Sequence, residues 1–393
     1  MRNPILTRFG ASLFCLTLLL GISSDRSVAN VSPAENELTV HEWGTFTSVT
    51  SKDGYSLTWR PLTVESDLPS FIYSIDDGKS FAGYRYPTKS SFAVHVRMET
   101  PVLYFYSSQE MNAKVQIDFP NGKITEWYPK PLNAGSGIDW GQIKIIPALR
   151  VELPHDAKQN HYYPARETDA AMLEVANSKE PEHERFLFYR GVGDFALPIW
   201  LRLQADKVVI KRLVPEGPGK AILFYNTAGQ IGFSVLNLNS QETTVERPAV
   251  GKDLSSLRQE LKSMMMSEGL YEKEADAMLN TWRDSWFEEG LRIFYVVPRS
   301  ETDKILPLTI DPKPTSIVRV LIGRTELITP EMERNVTNQL RKLGDPSSVV
   351  RDSARKEISR YGRFVESIVS EIAKNAANPN DSAAANKFLE GKL

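Results

Sequence analysis

The stretch KVQIDFPNGKITEWY, residues 114–128, decides the fold class. Lys114 to Phe119 and Lys123 to Tyr128 are β-prone runs, and Pro120-Asn121-Gly122 between them supplies the positive φ angles that a tight hairpin wants. Two further pairs of runs repeat the pattern. Phe71 to Ile75 and Ser80 to Tyr84 flank Asp76-Asp77-Gly78-Lys79, and Ala221 to Tyr225 and Gln230 to Leu236 flank Asn226 to Gly229. Strand and turn signals of this kind extend from Glu37 to about Pro248, which predicts a mainly antiparallel β domain.

After Pro248 the apolar period changes from two to about 3.6, the mark of amphipathic helices. Asp253 caps a helix through Ser267, with Gly269 as its end. A second is expected from Tyr271 to Glu289, with Ala275, Met278, Leu279, Trp282 and Trp286 on one stripe and Gly290 as its stop. Strands return at Leu291 to Val297 and Ile317 to Ile322, with the proline-rich Leu306 to Pro314 between them. Thr329-Pro330-Glu331 then opens a helical region as N-cap and first helical position. Gly344 ends that helix, Asp345-Pro346 starts the next, Gly362 ends it, and Val365, Ile368, Val369 and Ile372 form the stripe of a third. The run from Asp345 to Gly362 resembles one helical hairpin of HEAT-like repeats, which implies helix pairing and a protein partner. From Asn375 the chain is rich in Ala and Asn and is expected to fray. The fold class is therefore α+β: a β-rich domain over 30–328, a helical insertion at about 252–290, and a helical appendage over 329–393.

The N-terminus reads as an address. Arg2 and Arg8 precede an apolar core from Ala11 to Ile22, and Ser27-Val28-Ala29 is a small-residue cleavage site, so export is expected, periplasmic or extracellular, with Asn30 first in the mature protein. Cleavage leaves 364 of the 393 residues, more than one core usually serves. The apolar stretch is shorter than the roughly 20 residues of a membrane span, and no stable span is expected after cleavage. Cys15, the single cysteine, lies inside the leader, so the mature chain has no disulfide, thiolate metal ligand or cysteine nucleophile. A formal charge of −2 from 47 basic and 49 acidic residues leaves no footprint for nucleic acid.

Two stretches concentrate ionisable groups. Alternation along Ser91 to Tyr106 puts Phe92, Val94, Val96 and Met98 on one strand face and His95, Arg97 and Glu99 on the other. This face is either a polar cleft, with Arg97 orienting an anionic group and Glu99 or His95 handling a proton, or a solvated charge ladder. The segment from His161 through Tyr162, Tyr163, Arg166 and Glu167 to Asp169 suits a ligand-facing loop, or equally a loop locked by an Arg–carboxylate pair. Ligand recognition by a cleft of His95, Arg97, Glu99, His161, Arg166 and Glu167 is the leading expectation. A hydrolase using Glu99 or Glu167 as acid or base, and a scaffold docking partners through the helical tail, are the alternatives.

Other patterns carry less. His41 and Glu42 are neighbours in a strand and face opposite ways, which favours a structural role. Histidines stand only at 41, 95, 155, 161 and 183, without His-x-His or His-Glu-x-x-His spacing, so a metal centre would need distant residues such as His95 and His161 with a carboxylate; neither metal nor cofactor is expected. Asp284 and Glu288, one helical turn apart, match the paired acids of glycoside hydrolysis but read first as a solvated face. Gly217-Pro218-Gly219-Lys220 and Gly191-Val192-Gly193 lack the rest of a nucleotide-binding pattern.

The motifs HEWGTFT at 41–47, RMETP at 97–101, the His161 to Ala171 run, Phe186 to Gly193 and TWRDSWFE at 281–288 together resemble those of a family of uncharacterised exported bacterial proteins. The resemblance spans about Val40 to Pro330. It implies export and supplies no catalytic residue.

Overall fold

A computed structural model describes residues 37–60, 68–75 and 92–392. The leader, Cys15 and the second strand of the expected hairpin at 71–84 lie outside them. The fold is α+β and rests on a nine-stranded sheet. In spatial order its strands are Gln230–Asn237 (β14), Lys220–Thr227 (β13), Gly290–Val296 (β16), Ser316–Leu327 (β18), Leu38–Thr50 (β1), Val96–Ser107 (β3), Leu187–Gly193 (β10), Gly122–Tyr128 (β5) and Tyr73–Ser74 (β2). All neighbours run antiparallel except β1 and β18, which run parallel from Thr39↔Ser316 to Thr50↔Leu327.

A six-stranded sheet joins Leu308–Asp311 (β17), Met111–Asp118 (β4), Gly137–Ile146 (β7), Met172–Val175 (β8) and Glu182–Glu184 (β9), with Asn133–Ala134 (β6) beside β7. Ile199–Gln204 (β11), Lys207–Arg212 (β12) and Glu242–Glu246 (β15) make the third sheet. Strand alternation sends Val40, Phe46, Leu103 and Leu321 to one face of the large sheet. There they pack with Val115, Ile117, Ile143 and Leu173 of the six-stranded sheet and Leu201 and Ile210 of the small one. β4 is buried at every second residue, Ala113, Val115 and Ile117, because its other face meets water. β1 is covered on both faces and is buried almost throughout.

The other face of the large sheet presents Trp43, Val102, Tyr104, Phe188, Phe224, Phe294, Val320 and Ile322 to two helices, Leu254–Ser267 (α1) and Glu272–Thr281 (α2). The Asp253 carboxylate caps α1, accepting from Ser256 N at 2.9 Å, as the sequence predicts. A short helix, Arg299–Ile305 (α3), follows β16. The last four helices are Pro330–Lys342 (α4), Ser348–Ser359 (α5), Val365–Asn375 (α6) and Pro379–Leu389 (α7). Their apolar faces, with Met332, Val336, Ile358, Phe364, Ile368 and Ile372, close over Val49, Leu57, Trp59 and Ile328 at one end of the large sheet. Among the described residues no helix is long and apolar enough to cross a membrane.

Three expectations need correction. The runs in 114–128 do not pair with each other: β4 pairs with β7 and β17, while β5 pairs with β10 and β2. Asn121-Gly122 carries the chain from one sheet to the other, with Phe119 N donating to Ser136 O at 2.8 Å. The hairpin at β13–β14 forms as expected, its two-residue turn Ala228-Gly229 having φ of 50° and 79°. The second helix stops at Thr281, so Asp284 and Glu288 are not on a regular helix. The segment after Asn375, read as irregular, contains a capped helix: Asn378 Oδ1 accepts from Asn380 N at 2.9 Å, Pro379 is the first helical residue, and Arg341 holds Asp381 at 2.7 Å.

Candidate functional site

A fault crosses three successive strand pairs, β1–β3, β3–β10 and β10–β5, of the large sheet. The β1–β3 register slips between Trp43 and Thr45, β10 slips against β3 between Phe188 and Gly191, and β10 slips against β5 between Arg190 and Gly191. Gly44 occupies the first slip because a Cβ there would lie 2.9 Å from Leu321 Cδ1 and Pro101 Cα. Thr100 has φ of 47°, a left-handed conformation that a β-branched residue adopts only under constraint. Bulges bend a strand and re-aim its side chains, and they concentrate beside binding and catalytic sites.

The fault gathers charge on the helix-covered face. Glu99 is completely buried. Its Oε2 accepts from Thr47 Oγ1 at 2.8 Å, and its Oε1 lies 3.3 Å from Arg97 Nε and in contact with Arg363 Nη1. Arg363 arrives from the short 3₁₀ turn Gly362–Phe364 between α5 and α6. The Arg324 guanidinium, on β18, donates through Nε to Glu326 Oε1 at 2.7 Å and approaches Glu288 Oε2 with Nη2 at 3.4 Å. Arg292 Nε pairs with Glu326 from the other side at 2.8 Å. Phe364 lies beneath both the Arg324 and Arg363 guanidinia, at 5.2 and 5.3 Å. Towards β5, Arg190 Nε donates to Thr100 Oγ1 at 3.2 Å, Glu126 is its cross-strand neighbour, and Thr125 Oγ1 donates to Glu126 Oε2 at 2.5 Å.

Burial pushes the Glu99 carboxyl up, but Arg363, Arg97 and Arg324 with the Thr47 hydroxyl outweigh it and hold it below the ordinary carboxylate value. Glu99 is thus an ionised anchor, poorly suited to donate a proton near neutrality. Burial pulls Arg292 down to about 10, so it stays charged. Donors outnumber acceptors in this seam. Among the described residues, Arg324 Nη1, Arg363 Nε and Nη2, and Thr45 Oγ1 are buried without a hydrogen-bond partner. Such groups are expensive to leave unmet and call for an explanation at each site.

Of the six residues expected to share a cleft, the structure brings together Arg97 and Glu99. His95 precedes β3 and turns away: Nδ1 meets Asp194 Oδ1 at 2.7 Å and Nε2 meets Thr58 Oγ1 at 3.2 Å. His161 Nδ1 lies 3.0 Å from Thr281 O and 3.9 Å from Asp284 Oδ2. Arg166 is a strut. It grips both oxygens of buried Glu184 at 2.6 to 3.1 Å, donates to Pro154 O, and lies against Tyr162, Tyr163 and Phe71. Burial raises the Glu184 carboxyl despite this grip. Glu167 is exposed. The His161–Glu167 segment therefore has partners of its own, none shared with Glu99.

The remaining motifs settle into the framework. His41 and Glu42 do face opposite ways. His41 Nδ1 meets Glu274 Oε2 at 2.8 Å on the helical face, whereas Glu42 pairs with Arg319 and accepts from Tyr189 OH, each at 2.5 Å, on the other. Trp282 and Trp286 stack on each other, centroids 6.5 Å apart, and are buried. Among the described residues no group of three or more His, Cys, Asp or Glu side chains is placed to hold a metal.

Arg190, Arg324, Arg363, Glu126 and Glu326 are the residues that reading the sequence missed. The signal was present for two of them: Arg190 and Arg324 interrupt apolar strand runs, Leu187–Val192 and Val318–Ile322 onward, where a charge demands a buried partner. No known protein-family model matches the chain, and a search of curated proteins found no match.

Proposed function

We propose that this protein is exported, that it recognises a small ligand bearing an oxyanion, a carboxylate or phosphate, at the guanidinium seam between the large sheet and the C-terminal helices, and that a protein partner engages those helices elsewhere, away from the seam. One observation carries the reading: Arg324, fully buried, and Arg363, nearly so, keep three N–H-bearing nitrogens unmet beside a carboxylate that is already ionised. The planar guanidinium fork matches carboxylate and phosphate geometry. Charge-assisted hydrogen bonds contribute about 1.5–3 kcal/mol each, so three of them supply about 4.5–9 kcal/mol before the cost of ordering the ligand is subtracted, which puts Kd no tighter than about micromolar. The low proton affinity of Glu99 favours binding over acid–base hydrolysis. Membership of the exported family that the motifs resemble belongs to the same reading, as does cleavage before Asn30.

The test is thermal unfolding of the mature chain with acetate, succinate, phosphate or sulfate against chloride at matched ionic strength. A bound oxyanion at about one hundred times its Kd stabilises by about 2.7 kcal/mol, and Arg363→Gln removes the shift. If no oxyanion raises the wild-type Tm above the chloride control, the recognition reading fails. N-terminal sequencing of the exported fraction should begin at Asn30, and an uncleaved chain confined to the cytosol would refute export.

A further inference from the structure

A polar recess lies away from the seam, between α4, α6 and α7, with a volume of about 390 Å³, within the range of ligand pockets. Three carboxylates and two arginines line it; Arg334 pairs with Glu331 at 3.3 Å, outside the lining, and two of the three carboxylates are already neutralised. Lys52 Nζ holds Glu333 at 2.7 Å, and Arg341 takes both oxygens of Asp381 at 2.7 Å. Glu371 is different. It is 6% exposed and accepts one long hydrogen bond, from Asn375 Nδ2 at 3.3 Å, with no ion pair among the described residues. Burial and the charges of Glu333 and Asp53 raise its carboxyl, against Lys374 and Lys52.

Asn338 and Asn378 line the same recess. Their carboxamide oxygens are engaged, Asn338 Oδ1 by Arg341 Nη1 at 3.5 Å and Asn378 Oδ1 by Asn380 N at 2.9 Å. Each carboxamide nitrogen carries two N–H donors, and such donors suit a carbonyl acceptor. The recess thus offers one carboxyl without an ion pair among the described residues to a cation, and carboxamide donors to neutral acceptors. A basic residue within an extended peptide carries both, on its side chain and main chain.

We infer that this recess is a docking site for a lysine or arginine side chain of an extended peptide, with Glu371 as counter-ion and Asn338 and Asn378 donating to the flanking main-chain carbonyls. The inference rests on the partner half of the reading above and is independent of the oxyanion seam. Pairing with a cation would act against that rise, because a neighbouring opposite charge favours the ionised carboxylate.

The probe is a fluorescein-labelled peptide, Gly-Ser-Gly-Arg-Gly-Ser-Gly, titrated with the full mature chain and read by anisotropy, with Glu in place of Arg as control. Saturable binding of the arginine peptide is expected, with none for the glutamate peptide and a loss of about tenfold in Glu371→Gln, equal to about 1.4 kcal/mol. Asn338→Leu, at an exposed position, should weaken binding without lowering Tm, so the test survives if Glu371→Gln misfolds. Arg363→Gln should leave peptide binding intact, which separates this site from the seam. Absence of saturable binding, equal binding of both peptides, or indifference to both recess variants overturns the inference.

Discussion

Replacing Glu99 by Gln is the sharpest probe of the seam. The substitution keeps the shape of the side chain and deletes the only charge that Arg363 contacts directly among the described residues, while Arg97 loses its partner at 3.3 Å. Removing one member of a buried pair costs about 3–5 kcal/mol, because the surviving charge stays buried without compensation. With a urea slope of about 3 kcal/mol/M, the midpoint should fall by about 1–2 M. The double variant Glu99→Gln/Arg363→Gln should recover a large part of that loss, since deleting both partners removes the stranded charge. The pH dependence carries a sign of its own. The folded-state carboxyl sits below its unfolded value, so its contribution is complete above about pH 4.5 and is lost as pH falls through the folded value. The acid limb of stability should therefore be shallower in Glu99→Gln than in the wild type. A midpoint unchanged by the single variant, or a double variant destabilised by the sum of the two singles, would refute the reasoning.

On the opposite face of the same sheet, Arg319→Met strands the Glu42 carboxylate with only Tyr189 and should cost about 3–5 kcal/mol by urea denaturation, with partial rescue by Glu42→Gln. Asn378→Ala removes the cap of the last helix and costs about 1 kcal/mol locally, so amide exchange over 379–389 should accelerate about fivefold while the global Tm barely moves. Glu184 carries the reverse sign to Glu99. Its folded-state carboxyl lies above the ordinary 4.5, so wild-type stability declines as pH rises from that value through the folded one, and Glu184→Gln should be less stable overall yet flatter across that interval, read as the urea midpoint against pH.

Much of the architecture was legible in local chemistry. The Ala228-Gly229 hairpin, the Asp253 cap, the Thr329-Pro330 start and the opposed faces of His41 and Glu42 follow from turn propensity, capping and the two-residue strand period. Asn121-Gly122 shows the limit. A turn signal says that the chain reverses but not which strand receives it, and here Phe119, completely buried, fixes a crossing between sheets. Ala and Asn content alone does not reveal the final helix, whose start is marked by Asn378-Pro379. At the candidate site, Arg97 and Glu99 were legible because they are two residues apart on one strand. Their partners Thr47, Arg324 and Arg363 come from positions up to 264 residues distant and depend on sheet register and on the docking of the tail, which no local pattern encodes.

The parallel pairing of β1 with β18 has a consequence for how the protein is made. The strand at residues 38–50 occupies the middle of the large sheet, yet one of its two neighbours is not synthesised until residue 327. Whatever leaves the ribosome first must wait, one edge bare, for nearly the whole polypeptide to follow. Contacts so distant along the chain make folding slow and leave an aggregation-prone edge unsatisfied in the interval. The last sheet strand to emerge is thus the clasp of the fold, and a ribosome stalled before it would release a chain whose central strand has nothing to close against.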